Sequence, residues 1–159
     1  MFDTFRNKLT DMATIKALCE AAERHALADQ QTKPGAEHFV LAALDLPDGS
    51  AAAAFATLGI DAEKFRDALE GETRQALAHA GVRDAHVQTI PPLPAQSGLY
   101  DAAPSGQAVM QALTDSRKTR EALRGVDVLK AVAAMPHGKV ARTFKLMGIT
   151  PDELRAASE

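Results

Sequence analysis

Residues 35–69 read GAEHFVLAALDLPDGSAAAAFATLGIDAEKFRDAL, and residues 124–158 repeat this pattern as RGVDVLKAVAAMPHGKVARTFKLMGITPDELRAAS. The two stretches align without gaps at a constant shift of 89 positions (124 − 35 = 89). Identical pairs include Pro47 and Pro136, Gly49 and Gly138, Ala52 and Ala141, Phe55 and Phe144, Gly59 and Gly148, Ile60 and Ile149, and Arg66 and Arg155. A register kept over this length indicates an internal duplication. We therefore expect a duplicated helical unit whose function lies in what the pair can bind.

Helix-end signals recur at the same place in both copies. Gly59 and Gly148 each follow an apolar run, where a glycine commonly ends a helix. Thr150 can cap the next helix, with Pro151 at the first helical position and Glu153 completing a capping box. In the first copy Asp61 takes the capping position. The signals predict one helix before each glycine and another after it.

Each copy is preceded by a further helical pattern. In the first half, apolar residues recur every three to four positions, which predicts a buried stripe of Leu9, Met12, Ile15, Cys19, Ala22 and Ala26. In the second half, Pro104 suits a helix start, and the buried side comprises Val109, Met110, Ala112 and Leu113. We predict an all-α fold of two pseudo-twofold related four-helix repeats, about residues 9–80 and about residues 104–159.

Residues 81–103 carry three prolines and no helical period, which predicts an extended, proline-rich linker between the repeats. The segment PPLP, residues 91–94, has two interpretations. It is either part of this linker or a preformed ligand for an aromatic groove on a partner.

Composition limits the function classes. Apolar residues make up 46% of the chain, aromatic residues 4%, and the formal net charge is −3 with both signs interleaved. Without a basic stripe, nucleic acid is not expected as a partner. The longest uncharged apolar run, residues 49–60, is far short of the roughly 20 residues that span a bilayer. The single Cys19 cannot form an internal disulfide, and no signal peptide is evident, so we expect a cytoplasmic monomer without membrane contact.

The first copy resembles the Clp amino-terminal repeat of AAA+ Clp unfoldases. Pro34, Gly35, Ala36, Glu37 and His38 stand at its Ile-Gly-Thr-Glu-His positions, and residues 58–60, Leu-Gly-Ile, match its later signature. The resemblance implies an all-helical double repeat of about eight helices that binds substrate proteins, degrons or adaptors and does not hydrolyse ATP. The chain is then either the isolated amino-terminal domain of an unfoldase or a stand-alone, adaptor-like protein.

The sequence does not favour catalysis. A phosphate loop would need Gly at Ala133 and Ser or Thr at Val140, so ATP is not expected as a cofactor, and we expect no other cofactor and no enzymatic activity. None of His25, His79, His86 and His137 shows the spacing of a metal site. Two alternatives remain: a helix-docking, secretion-linked partner domain, and a small hydrolase that uses Glu37 and a histidine.

Five residues are candidates for protein or peptide binding: Glu37, His38, Asp127, Phe2 and Phe5. Glu37 is either a carboxylate at a helix start or, as the resemblance implies, the acceptor for the guanidinium group of phosphorylated arginine. We expect His38 to be a packing or helix-start residue. Phe2 and Phe5 either fold onto the groove between the repeats or fray.

The second copy lacks the Glu-His pair. Val126 replaces the glutamate and Asp127 the histidine, so the charged acceptor is missing there. A carboxylate that pairs with a guanidinium gains roughly 1.5–3 kcal/mol per hydrogen bond, and Val126 can form none. We therefore expect at most one guanidinium site per chain.

Overall fold

The computed structural model describes residues 2–82, 91–94, 100–117 and 121–159. Within these ranges it contains eight α-helices and no strand. They are α1 (Phe2–Ala28), α2 (Ala36–Asp45), α3 (Ser50–Thr57), α4 (Ala62–His79), α5 (Pro104–Ser116), α6 (Gly125–Ala133), α7 (Lys139–Leu146) and α8 (Pro151–Ala157). The all-α class predicted from the sequence is confirmed.

The helix packing has pseudo-twofold symmetry, with α2 and α6 in contact at the centre. The packing of α1 on α2 corresponds to that of α5 on α6, and the packing of α4 on α7 corresponds to that of α8 on α3. Phe55 and Phe144, which match in the two copies, meet edge to face with ring centroids 6.2 Å apart. Gly125 starts α6 where a Cβ atom would lie 2.8 Å from the carbonyl oxygen of Ala43, so a larger residue would push α2 and α6 apart. The predicted double repeat is therefore one shared core.

The repeated helix ends have the same geometry. Gly59 and Gly148 adopt left-handed φ angles of 71° and 72°, which favour glycine. Beyond them, Asp61 accepts from the backbone N–H of Lys64 at 2.8 Å. Thr150 forms the predicted capping box with Glu153. Local signals therefore placed these turns correctly.

The start of α1 differs from the prediction. The helix already begins at Phe2, and it continues unbroken to Ala28. Leu9 and Met12, expected on the buried stripe, are 54% and 60% exposed, because the body of the protein covers another face of α1, where Asp11 is buried and accepts from the backbone N–H of Leu123. The fully buried positions of this helix are Leu18, Ala22 and Ala26.

The proline-rich stretch contacts the end of α1 where it is described. The backbone N–H of Leu93 donates to the carbonyl oxygen of Leu27 at 3.0 Å, and the Gln30 side chain donates to the carbonyl oxygen of Pro91. The rest of the expected linker, residues 83–90 and 95–99, lies outside the described residues. Among those described, no single helix is both long and apolar enough to cross a membrane, although α2 and α3, bent by 103°, meet the test together by length and composition alone.

Candidate functional site

His38 fixes the start of α2. Its side chain is fully buried, and Nδ1 accepts from the backbone N–H of Gly35 at 2.9 Å. Nε2 lies 3.0 Å from the Asp29 carboxylate. Because Nδ1 is an acceptor, the ring is neutral with its proton on Nε2, which donates to Asp29. Both ring nitrogens are therefore engaged in the interior, and His38 has no free nitrogen for the acid and base chemistry of a hydrolase.

Glu37 lies beside His38 and faces the second repeat. The residue is only 6% exposed, and one carboxylate oxygen is 3.9 Å from Nζ of Lys139 at the start of α7. A carboxylate in the first turn of α2 also interacts favourably with the helix dipole. The side chains of Lys139 and Glu37 are 28% and 8% exposed, so the pair is largely buried. Glu37 thus belongs to an ion pair between the repeats, which sequence reasoning missed.

The start of α6 shows how the second copy differs. Oδ2 of Asp127 accepts from the backbone N–H of Arg124 at 2.8 Å, as His38 does for Gly35 in the first copy. Asp48, in the turn between α2 and α3, accepts from the N–H of Gly125 at 2.8 Å, and Ser50, the first residue of α3, accepts from the N–H of Val126 at 2.9 Å. The chain's own side chains therefore occupy this helix start.

A cleft of about 680 Å³ opens beside the Glu37–Lys139 pair. Helix α4 forms one wall, and Asp29, Leu41 and Lys139 line the remainder. We call it the α4 cleft. Its α4 residues are Arg66, Leu69, Glu70, Thr73, Arg74 and Leu77, and Val82 follows the helix.

Helix α4 presents two parallel rows to this cleft. Residues four apart lie on one helix face, so Leu69, Thr73 and Leu77 form a largely apolar row. The adjacent row, Arg66, Glu70 and Arg74, alternates in charge, and each row spans about 12 Å at 1.5 Å per residue. Leu77 remains 40% exposed. This wall of the cleft therefore combines an apolar row with a parallel row that carries charges of both signs.

Two charged residues that line the cleft, Asp29 and Arg66, each contact a histidine. Burial raises the pKa of Asp29, but the hydrogen bond from His38 and the positive charges of Lys139 and Arg66 outweigh it, so this pKa lies below its usual value. Nη2 of Arg66 lies 3.0 Å from Nδ1 of His25, whose Nε2 lies 2.6 Å from the Asp45 carboxylate. This chain of contacts ties α4 to α1 and α2.

The five predicted site residues do not converge. Glu37 and His38 contact Lys139 and Asp29, which line the α4 cleft. Asp127 instead caps α6. Phe2 and Phe5, 92% and 66% exposed, lie in the first turns of α1, so they neither fold onto a groove nor fray out of the helix.

Sequence reasoning missed most of the cleft. Its lining residues on α4 could have been found from their four-residue spacing, because Leu69, Thr73 and Leu77 recur at the period of one helix face. Lys139 comes from the other repeat, 102 positions after Glu37 (139 − 37 = 102), so no local pattern connects them.

The potential metal ligands and the cysteine among the described residues do not form a metal site or a reactive thiol. Among the described residues, no group of three or more His, Cys, Asp and Glu side chains is placed to hold a metal ion. Cys19 is half-buried, and burial raises the pKa of its thiol despite a hydrogen bond with Tyr100. A thiol held protonated is a poor nucleophile.

Comparison with known proteins supports the expected family. A comparison with curated protein sequences found no match for the chain. The sequence model of the Clp repeat (R) N-terminal domain matches residues 8–125, more than half of the 159 residues. Domains of this family are non-catalytic protein-interaction modules of Clp systems. The chain therefore belongs to the Clp repeat N-terminal domain family.

Proposed function

We propose that this domain binds polypeptide segments of substrate or adaptor proteins in the α4 cleft and brings them to a Clp unfoldase. The observation that supports the proposal is the cleft itself, where an apolar row on α4 runs beside a row of alternating charge. Ligand-binding clefts commonly combine apolar lining with a few polar groups that fix the ligand's orientation. Membership in a family of interaction modules agrees with this use.

The length of the rows on α4 limits the length of peptide that the cleft can hold. An extended chain advances about 3.3–3.6 Å per residue, so a row of about 12 Å accommodates roughly four residues. Apolar side chains of the peptide would pack on Leu69 and Leu77, and its charged groups would pair with Arg74, Glu70 or Lys139. An unfolded segment that mixes apolar and charged residues fits this cleft.

One substitution tests the site. Leu77→Glu places a carboxylate in the apolar row without disturbing the core, because Leu77 is already 40% exposed. We expect the affinity for a fluorescent, permanently unfolded casein to fall by at least about tenfold, which corresponds to about 1.4 kcal/mol. Fluorescence anisotropy measures the change.

The matched control is Leu146→Glu. Leu146 is 46% exposed on α7 and does not line the cleft, so this variant adds the same charge elsewhere. It should bind casein like the unmodified chain. Equal binding by all three proteins would reject the α4 cleft as the binding site.

We also propose that Glu37 receives the guanidinium group of a phosphorylated arginine. The support is the resemblance of residues 34–38 to the family pattern and the pairing of Glu37 with Lys139. The carboxylate and ammonium carry the charges that complement a guanidinium joined to a phosphate. Because the Glu37 side chain is only 8% exposed and pairs with Lys139, binding would require the Lys139 ammonium to move from the carboxylate toward the phosphate.

A further inference from the structure

A stripe of large apolar side chains on α1 lies outside the core. It consists of Phe2, Phe5, Leu9 and Met12, which are 92%, 66%, 54% and 60% exposed. We call it the α1 stripe. All four residues are more than half exposed, and Phe2 is almost fully in solvent, although α1 is continuous with the buried turns around Leu18.

The spacing of the α1 stripe identifies the shape of its partner. Positions 2, 5, 9 and 12 are separated by three, four and three residues, which is the a and d pattern of a heptad repeat. The seam is narrow, because the residues that border it, Arg6 at e and Lys8 at g, are polar. A narrow a and d seam packs against another helix, whereas a helix that lies on a membrane or a broad core has a wider apolar face.

We propose that the α1 stripe pairs with the α1 stripe of a second copy of this chain and forms a homodimer. Pairing the same seam of two copies gives a closed twofold interface that needs no other surface. This replaces the monomer that the sequence led us to expect.

The area of the stripe suffices for such an interface. An aromatic side chain buries roughly 150–250 Å² when it is covered. Each copy contributes two phenylalanines together with Leu9 and Met12, which are about half exposed, so covering the stripe on both copies removes at most about 1,000 Å² from water, the low end for a specific interface. The helix exists before pairing, which avoids the entropy cost of ordering it on association. We therefore expect a reversible dimer of modest affinity.

The charge beside the seam sets the salt dependence. Lys8 lies at the g position beside the seam, so an antiparallel pairing of the two stripes, in which g faces g, brings these cations close to one another. Added salt screens their repulsion and leaves the apolar contact intact. Dimerisation should hold or strengthen as salt rises, whereas attraction of a cationic helix to anionic lipid would weaken.

Sedimentation equilibrium of the full chain tests the proposal. We expect the weight-average mass to rise with concentration from 16.9 kDa toward twice that value. Leu9→Glu and Phe5→Glu should each raise the dimer dissociation constant by at least about tenfold, with helix content by circular dichroism unchanged because both residues are exposed. Leu77→Glu, in the α4 cleft, is the control and should dimerise normally.

Two results would overturn the dimer. One is a chain that remains at the monomer mass at every concentration, and binding of that monomer to anionic phosphatidylserine vesicles would assign the stripe to a membrane surface instead. The other is a Leu9→Glu variant that dimerises as tightly as the unmodified chain. Casein binding by Leu9→Glu should be intact, so failure of the dimer and failure of the α4 cleft are separate results.

Discussion

At the scale of single residues, His38 and Asp127 cap their helices in the same way with different side-chain groups. Both stand three residues after the N-cap of a central helix, and both accept the backbone N–H of that N-cap, from Gly35 and Arg124. An imidazole nitrogen and a carboxylate oxygen are equivalent acceptors here. The loss of histidine in the second copy therefore leaves its helix start intact.

We expect substitutions of Glu37 and Asp127 to differ in their effect on ligand binding. Glu37→Gln removes the charge that would pair with a guanidinium, so free phosphoarginine should bind at least about tenfold more weakly. Asp127→Asn should leave binding unchanged, because Asp127 bonds its own helix start. Isothermal titration calorimetry gives both the affinity and the number of sites, and we expect at most one site per chain.

The stability of the two variants serves as the control for this comparison. Weakening the acceptor at the α6 start costs about 0.5–2 kcal/mol, the usual range for a helix cap, so Asp127→Asn lowers the free energy of unfolding without weakening binding. Two equivalent sites, or indifference to Glu37→Gln, would leave Glu37 as a residue of the ion pair with Lys139 only.

At the scale of helices, Asp48 links the two repeats. Its carboxylate accepts from Ser50 within its own turn and from the N–H of Gly125, 77 positions away, at the start of α6. Burial raises the pKa of Asp48, but these hydrogen bonds and the charge of Arg124 outweigh it and lower the pKa below its usual value. The carboxylate therefore stabilises the folded state while it is ionised.

The pH dependence of Asp48→Asn follows from this shift. The folded pKa is below the unfolded value of about 3.9, so the stabilisation is complete above that pH and is lost as the pH falls through the folded pKa. Asparagine presents one oxygen where two are used, so we expect the variant to lose about 0.5–2 kcal/mol at pH 7. Urea unfolding at several pH values should show this difference shrinking below pH of about 4. A difference independent of pH would contradict the role of the charge.

The sequence predicts helix ends well and helix exposure less well. Gly59, Asp61 and Thr150 act through neighbours within a few residues, so their roles are visible in the local pattern. The exposure of Leu9 and Met12 depends on which face of α1 packs on the body of the protein. The body covers the face of the buried Asp11, and the local sequence pattern does not reveal this choice. For this reason the buried stripe was predicted correctly at Ala22 and wrongly at Leu9.

At the scale of the whole molecule, the two repeats share a pseudo-twofold core but differ in the surface helices α4 and α8. Helix α4 has 18 residues and supplies most of the cleft lining, whereas its counterpart α8 has seven. The lysine that faces Glu37, Lys139, stands where the first copy has Ser50, which bonds the N–H of Val126. The duplicated core could be predicted from the 89-residue register, but the site arises from what the copies no longer share.

Hydrogen–deuterium exchange of the full chain, with and without unfolded casein, tests the central claim that the α4 cleft binds polypeptide. Bound peptide would shield α4 and the start of α7, because Arg66 to Leu77 and Lys139 line the cleft. We expect slower amide exchange in peptides that cover residues 62–79 and 139–142, with α3 and α8 unchanged. Protection confined to α3, α8 or the start of α6, or no protection at a casein concentration that saturates binding, would contradict the claim.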